Sequence, residues 1–275
     1  MNIKPVIIIP VYKSNLDDSE LFSLNQLILT LGDFTIYFIK PHALSLKNYP
    51  ENNIKVLSFE DKYFDSLKGY NELLTSLFFF KKFRHFTHML IYQLDALVFK
   101  NELLIWCYKK FDYIGAPWFR GYSSGESTQD FIGVGNGGFS LRKINKSISI
   151  LTRLKFAILL YKIKNKLNLL FRKNIKGLSY IQLKIYQFLN INYDSIYLEK
   201  LLNRNCFNED GFWSIWIANS FKDFKIASLD EAIKFSFEVN PETLFLMNNS
   251  ILPFGCHGWM KYDYKTFWVN HINFT

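Results

Sequence analysis

Residues 90–99 read Leu-Ile-Tyr-Gln-Leu-Asp-Ala-Leu-Val-Phe, a β-favouring apolar run interrupted only by Gln93 and Asp95. A run this apolar fits a strand covered on both faces, as in the middle of a parallel or mixed sheet. Three other stretches share its character: Ile3 to Val11, Phe34 to Ile39 and Ile54 to Phe59. Helical patterns separate them. Asp17 or Ser19 is placed to cap a helix reaching about Leu31, with Leu21, Leu24, Leu27, Ile28 and Leu31 on one face. A second pattern runs from Lys68 to Phe83. Strands alternating with helices predict a layered α/β domain. A carboxylate inside such a run is costly unless it is paired, hydrogen-bonded or bound to a metal. Ligands of open α/β sheets gather at the carboxyl ends of strands, about where Asp95 falls. Asp95 is therefore either a ligand-facing residue of an enzyme or a buried Asp that holds a turn.

Further on, Asn101 to Lys110 predicts a short helix and Tyr113 to Trp118 a strand ending in a rigid turn. Gly121 to Asp130 predicts a mobile loop. Residues 131–142 follow, with four glycines in the six positions from Gly133 to Gly138. The charge then changes. Residues 142–204 hold 14 Lys or Arg against Asp194 and Glu199, a local net of +12 in a 275-residue chain of net +9. The rest of the chain is thus slightly acidic. Ile148, Leu151, Leu154, Ile158 and Leu159 recur at helical spacing, as do Leu167, Leu170 and Phe171, which predicts two to four helices inserted at 143–205. The α/β pattern resumes at Phe207. It continues as a helix to about Ser220, short strands near Phe224 to Ala227 and Phe235 to Glu238, a helix near Pro241 to Met247, and Pro253 to Trp259.

Several classes drop out. The longest uncharged apolar runs, Leu73 to Phe80 and Phe156 to Tyr161, are far short of a membrane span. Val6 to Ile9 meets Pro10 too soon for a signal-peptide core. Cys107, Cys206 and Cys256 are odd in number and outside any zinc-ligand spacing, which fits a reducing cytoplasm. Poor aromatic interleaving and no recognised module argue against nucleic acid. The basic amphipathic segment suits an anionic membrane surface, and equally a solvated face that closes over a site or forms a dimer contact.

Four places carry chemistry. Gln93-Leu94-Asp95 ends a strand, where a carboxylate with phosphate oxygens and waters can hold a hard cation. Gly133, Gly135, Gly137 and Gly138 permit close approach to a ligand, or a glycine-rich hairpin or bulge. Asn136 is the polar side chain inside that loop. Glu209-Asp210 opens a helix, where acidic residues serve as caps or as a general base. His257 sits among Gly255, Cys256, Gly258 and Trp259, as a structural histidine or a metal ligand. Trp118, Trp213 and Trp259 are core residues or sugar-stacking platforms.

These four sites in this order resemble the nucleotide-sugar-dependent glycosyltransferases of the GT-A superfamily. The matching positions are Gln93-Leu94-Asp95, Gly135-Asn136-Gly137-Gly138, Glu209-Asp210 and His257. The strings YQLDALVF, YIGAPW, GNGGFSLRK, EDGFW and PFGCHGW are similar to a bacterial family of uncharacterised glycosyltransferases. The likeness covers about 1–142 and 206–275 and leaves out the basic insert. It implies a GT-A-like, Rossmann-type mixed sheet flanked by helices. It also implies transfer of a sugar from a nucleotide-diphosphate donor to a hydroxyl of a cell-surface glycan or lipid-linked acceptor, in capsule, lipopolysaccharide or related polysaccharide biosynthesis. Pro10, Tyr12, Gln93, Asp95, Gly137 and Gly138 would meet the donor. Asn136, Trp118, Trp213 and Trp259 would meet the acceptor. Asp95 and His257 would hold Mn²⁺ or Mg²⁺, and Asp210, with Glu209, would act as base in an inverting displacement. One departure stands out: Gln93 replaces the first carboxylate of the Asp-x-Asp motif, which weakens the metal site and leaves metal-independent or retaining transfer open. The alternatives are a sugar-activating nucleotidyltransferase and a non-catalytic glycan- or membrane-binding module. The implied location is the cytoplasm, with peripheral contact at the inner face of the membrane.

Overall fold

The computed structural model describes residues 2–50, 53–121, 130–171, 176–193, 196–203 and 208–274. Residues 122–129 of the expected mobile loop, and Cys206, lie outside the described residues.

Strands β1 (Pro5–Pro10), β2 (Thr35–Pro41), β3 (Lys55–Phe59) and β4 (His88–Tyr92) pair in parallel in the order β3-β2-β1-β4. Every residue of β1 and β4 is buried, including His88 at the start of β4, as sequences otherwise this apolar require. Helix α1 (Asp18–Leu31) joins β1 to β2. Asp17 caps it by accepting from the Glu20 amide, and the Glu20 side chain returns the bond in a capping box. The single helix expected from Lys68 to Phe83 is two, α2 (Leu67–Leu74) and α3 (Leu77–Lys82), because the Ser76 hydroxyl caps a new start at Leu77 by accepting from the Phe79 amide.

The strand expected over residues 90–99 is also two. After β4 the chain turns at Gln93-Leu94-Asp95, with the Ala96 amide donating to the Gln93 carbonyl (2.9 Å). It then enters a second sheet as β5 (Ala96–Val98). Helix α4 (Leu103–Tyr108), β6 (Tyr113–Ile114), β7 (Pro117–Phe119), β8 (Phe131–Val134) and β9 (Phe139–Lys143) follow. The glycine-rich segment is not a hairpin: β8 pairs with β7, whereas β9 pairs antiparallel with β4 and with β6. The main sheet is thus mixed, in the order β3-β2-β1-β4-β9-β6.

The basic segment forms α5 (Ile144–Leu170), α6 (Lys176–Phe188) and α7 (Ile196–Asn203). It is not a separate body. Ile144, Ile150, Leu151, Leu154, Ala157 and Ile158 of α5 share one hydrophobic core with Val6, Met89, Ile91 and Trp213. Helix α8 (Glu209–Gly211) runs on into a π-helical stretch, Phe212–Ile217. The expected strand at Phe224 to Ala227 is a single bridge between Tyr113 and Ile226. Strands β10 (Ser236–Phe237) and β11 (Gly255–His257) complete the second sheet, ordered β10-β11-β5. Cys107 and Cys256 are buried free thiols. Among the described residues, no helix is long and apolar enough to cross a membrane.

Candidate active site

In the sheet order β3-β2-β1-β4, the chain runs outward from β1 through β2 to β3 and then crosses back to the other side of β1 as β4, so a crevice opens between the carboxyl ends of β1 and β4. A cavity of about 550 Å³ occupies it. Pro10, Tyr12, Gln93 and Asp95 all line this cavity, together with Lys13, Glu20, Tyr49, Ser66 and Tyr70. Lys13 is held to Glu20 at 2.8 Å.

Behind Gln93 and Asp95, β11 runs antiparallel to β5 and sets His257 opposite Ala96. His257 Nε2 lies 3.1 Å from Asp95 Oδ1 and 3.2 Å from Gln93 Oε1. Its Nδ1 lies 2.9 Å from Oε1 of the buried Glu238. Burial opposes charge on the imidazole, but the carboxylates of Asp95 and Glu238 outweigh it and hold the pKa up at about 10. Burial would raise the Asp95 carboxyl; the His257 charge more than cancels that and lowers it. The Gln93 amide is fixed from its other end, donating from Nε2 to the Tyr70 hydroxyl at 3.1 Å.

Gly138 explains how the histidine comes so close: a Cβ there would overlap the His257 ring. Gly137 does the same for Glu209, whose carboxylate sits where a side chain would begin. The two glycines therefore make room for site side chains, whereas the sequence suggests room for a donor. Asn136, with a left-handed φ of 78°, accepts from the amides of Gly138 (2.9 Å) and Phe139 (3.2 Å) through Oδ1. It is buried, so it shapes the loop, and the expectation of a sugar contact is corrected.

The acidic pair divides. Glu209 is 3% exposed and faces Arg142, which is 1% exposed. Arg142 NH1 lies 2.8 Å from Oε2, and NH2 donates to Oε1 at 2.9 Å. The guanidinium also packs over the Tyr113 ring and donates to Ser140. So committed, Glu209 has no carboxylate oxygen open to a substrate, and its expected share in catalysis is corrected to a structural one. Asp210 is half-buried, with Oδ1 accepting from the Gly211 amide at 2.8 Å. Burial, and then the nearby charge of Glu238, push its carboxyl above the usual range. Glu238 thus pairs with His257 and also raises Asp210 electrostatically, although Asp210 is not among the residues that line the cavity.

Trp213 and Trp259 are fully buried, Trp213 beside Phe80 and Phe224 and Trp259 beside Phe22 and Phe274. Neither can stack a sugar, so both are core residues. Trp118 is half-buried and lies against Gly135. Sequence reasoning missed Tyr70, Arg142 and Glu238. Arg142, a charge directly after the mostly apolar Phe139-Ser-Leu of the glycine-rich segment, was the readable signal; Tyr70 and Glu238 gave none.

Residues 53–257 match the family described as "Protein of unknown function (DUF5672)", and the chain belongs to that family. The matched range runs across the helical insert. No curated protein matches. Among solved structures, the chain is similar to a galactosyltransferase, LgtC, in complex with donor and acceptor sugar analogs (13% identity, 92% of this chain and 86% of that one, TM-score 0.43). It is also similar to mouse xyloside xylosyltransferase 1 (11%, 93% and 98%, 0.46) and to the glycosyltransferase GlyE of Streptococcus pneumoniae (11%, 94% and 55%, 0.42). At these values the likenesses carry no weight for activity.

Proposed function

We propose that the protein is a metal-assisted glycosyltransferase that moves a sugar from a nucleotide-diphosphate donor to an acceptor hydroxyl. The observation that carries this reading is the convergence of His257 Nε2 on Gln93 Oε1 and Asp95 Oδ1, the two residues of the three that line the switch-point cavity. Neighbouring ligands of a divalent ion are separated by distances of this order, roughly 3 Å for metal–ligand bonds of about 2.1 Å. With its pKa held at about 10, His257 donates from both ring nitrogens in the ion-free site, so a cation would have to displace the Nε2 proton; Glu238 on Nδ1 would then be the usual outer partner of a ligating histidine. Among the described residues, no three His, Cys, Asp or Glu side chains gather as a metal set. Asp95 and His257 alone would hold Mn²⁺ or Mg²⁺, with the Gln93 amide oxygen beside them, and the donor's phosphates would have to supply the remaining oxygens. Such an ion, when bound, neutralises the departing diphosphate as a Lewis acid.

The remaining work falls to the chain's own groups. Tyr12, Ser66 and Tyr70 border the space for the nucleotide. Asp210 accepts the acceptor hydroxyl's proton, a task suited by its raised pKa and partial exposure. The Arg142–Glu209 pair fixes the backbone from which Asp210 projects. An acceptor in cell-surface glycan assembly suits this chemistry.

The test is a thermal-shift screen with uridine, guanosine and cytidine diphosphates, with and without Mn²⁺, followed by donor turnover. One nucleotide should raise the midpoint in a Mn²⁺-dependent way, since a ligand of the native state stabilises it. Asp95→Asn should lose the Mn²⁺ dependence, and Asp210→Asn should keep binding and lose turnover. Near-normal turnover in both variants would remove the assignment.

A further inference from the structure

We infer that the outer face of α5, together with exposed α6 side chains, rests on the surface of an anionic lipid bilayer. Beyond Ile158, none of the α5 side chains is buried. Phe156 (45% exposed), Leu159 (53%), Ile163 (47%) and Leu170 (66%) recur at three-, four- and seven-residue steps, so they share one face. Exposed Lys155, Lys162 and Lys166 are interleaved with them. On α6, Tyr180, Ile181 and Phe188 stand out beside Lys184. Neither helix contains an Asp or Glu.

Each part of this pattern selects the partner. A solvated helix face would not expose four large apolar side chains in a row, and an apolar stripe of this kind implies contact. A second copy of the same face would bring lysine against lysine. Nucleic acid would use the lysines and leave the aliphatic side chains in water. A bilayer rich in acidic lipid satisfies both, taking the apolar side chains at the headgroup boundary and the ammonium groups among phosphates. Lying on the surface also agrees with the lack, among the described residues, of a helix able to span. The inference does not depend on the transferase reading, because docking is measured without turnover.

The experiment is co-sedimentation of the full chain with vesicles of phosphatidylcholine, alone or containing about a third phosphatidylglycerol. Binding is expected to the mixed vesicles, not to the neutral ones, and to weaken as salt is raised. Each surface lysine is worth a factor of about five, so Lys155→Gln, Lys162→Gln and Lys166→Gln together should lose about 100-fold. Phe156→Ser, Leu159→Ser and Ile163→Ser together should also abolish binding, with the circular dichroism spectrum and thermal midpoint kept. Equal binding to both vesicles, no binding to the acidic ones, or full retention by either triple variant overturns the proposal. So does a dimer in light scattering that the serine variant converts to monomer, since a second copy would then cover the face.

Discussion

The adjacent carboxylates Glu209 and Asp210 offer a test of whether burial separates structural from chemical roles. Glu209→Gln keeps the side chain's shape but removes the charge that faces Arg142 across contacts of 2.8 and 2.9 Å. Both groups are almost fully enclosed. A guanidinium left buried beside a neutral amide loses its counter-charge, and breaking such a pair from one side costs about 3–5 kcal/mol. At about 2–4 °C per kcal/mol for a domain of this size, the midpoint should fall by roughly 6–20 °C. Urea titration supplies the free energy and differential scanning the midpoint. Gly137→Ala provides an independent route, since its Cβ would displace the same carboxylate and should destabilise in the same direction. Replacing both partners, Glu209→Met with Arg142→Met, should recover much of the loss, because no buried charge then remains. Asp210→Asn should change stability little while stopping turnover. A loss below about 1 kcal/mol in Glu209→Gln would refute the argument, since it would mean that water already reaches the pair.

Gly138→Ala should fold yet lose Mn²⁺-dependent nucleotide binding, because its Cβ would overlap His257; an unchanged thermal shift would sink that account. Burial, and then the charge of Lys143, lower the pKa of His88 from 6.5 to about 4. The unfolded chain therefore binds the extra proton first, so this residue's contribution is complete above pH 6.5 and is lost as pH falls toward 4. The loss is of order 3 kcal/mol. Equilibrium unfolding of His88→Gln across that range should show a flatter decline than the parent. Asp17→Ala removes the acceptor for the Glu20 amide and should cost about 1 kcal/mol by chemical denaturation.

What could be read from the sequence follows the range over which each cause acts. β1 and α1 are set by neighbours in the chain, an unbroken apolar run and a capping Asp17, and both stand close to where the sequence places them. The run from Leu90 to Phe99 misleads because a continuous strand and two strands joined at a turn have the same composition. Only the pairing of β5 with β11, a partner some 160 residues away, makes the break at Gln93–Asp95 the better solution. The same holds within the site. Gln93, Asp95 and His257 were legible as polar residues in apolar or glycine-rich settings. Glu238 was not, because a carboxylate just beyond a two-residue strand carries no mark until His257 is folded against it. Trp213 and Trp259 erred the other way: aromatic side chains suit a sugar platform and a core equally, and burial alone decides between them.

His257 arrives late in chain order, and it reaches Asp95 only when β11 slots between β5 and β10. During synthesis, the residues around Gln93 leave the ribosome with well over a hundred others still to come. Until β11 emerges, the unfinished polypeptide lacks one of the two side chains proposed to hold the cation. On the proposed reading, a chain truncated ahead of Gly255 would therefore lack its cation site however well its larger sheet had formed, and competence would appear in a single late step.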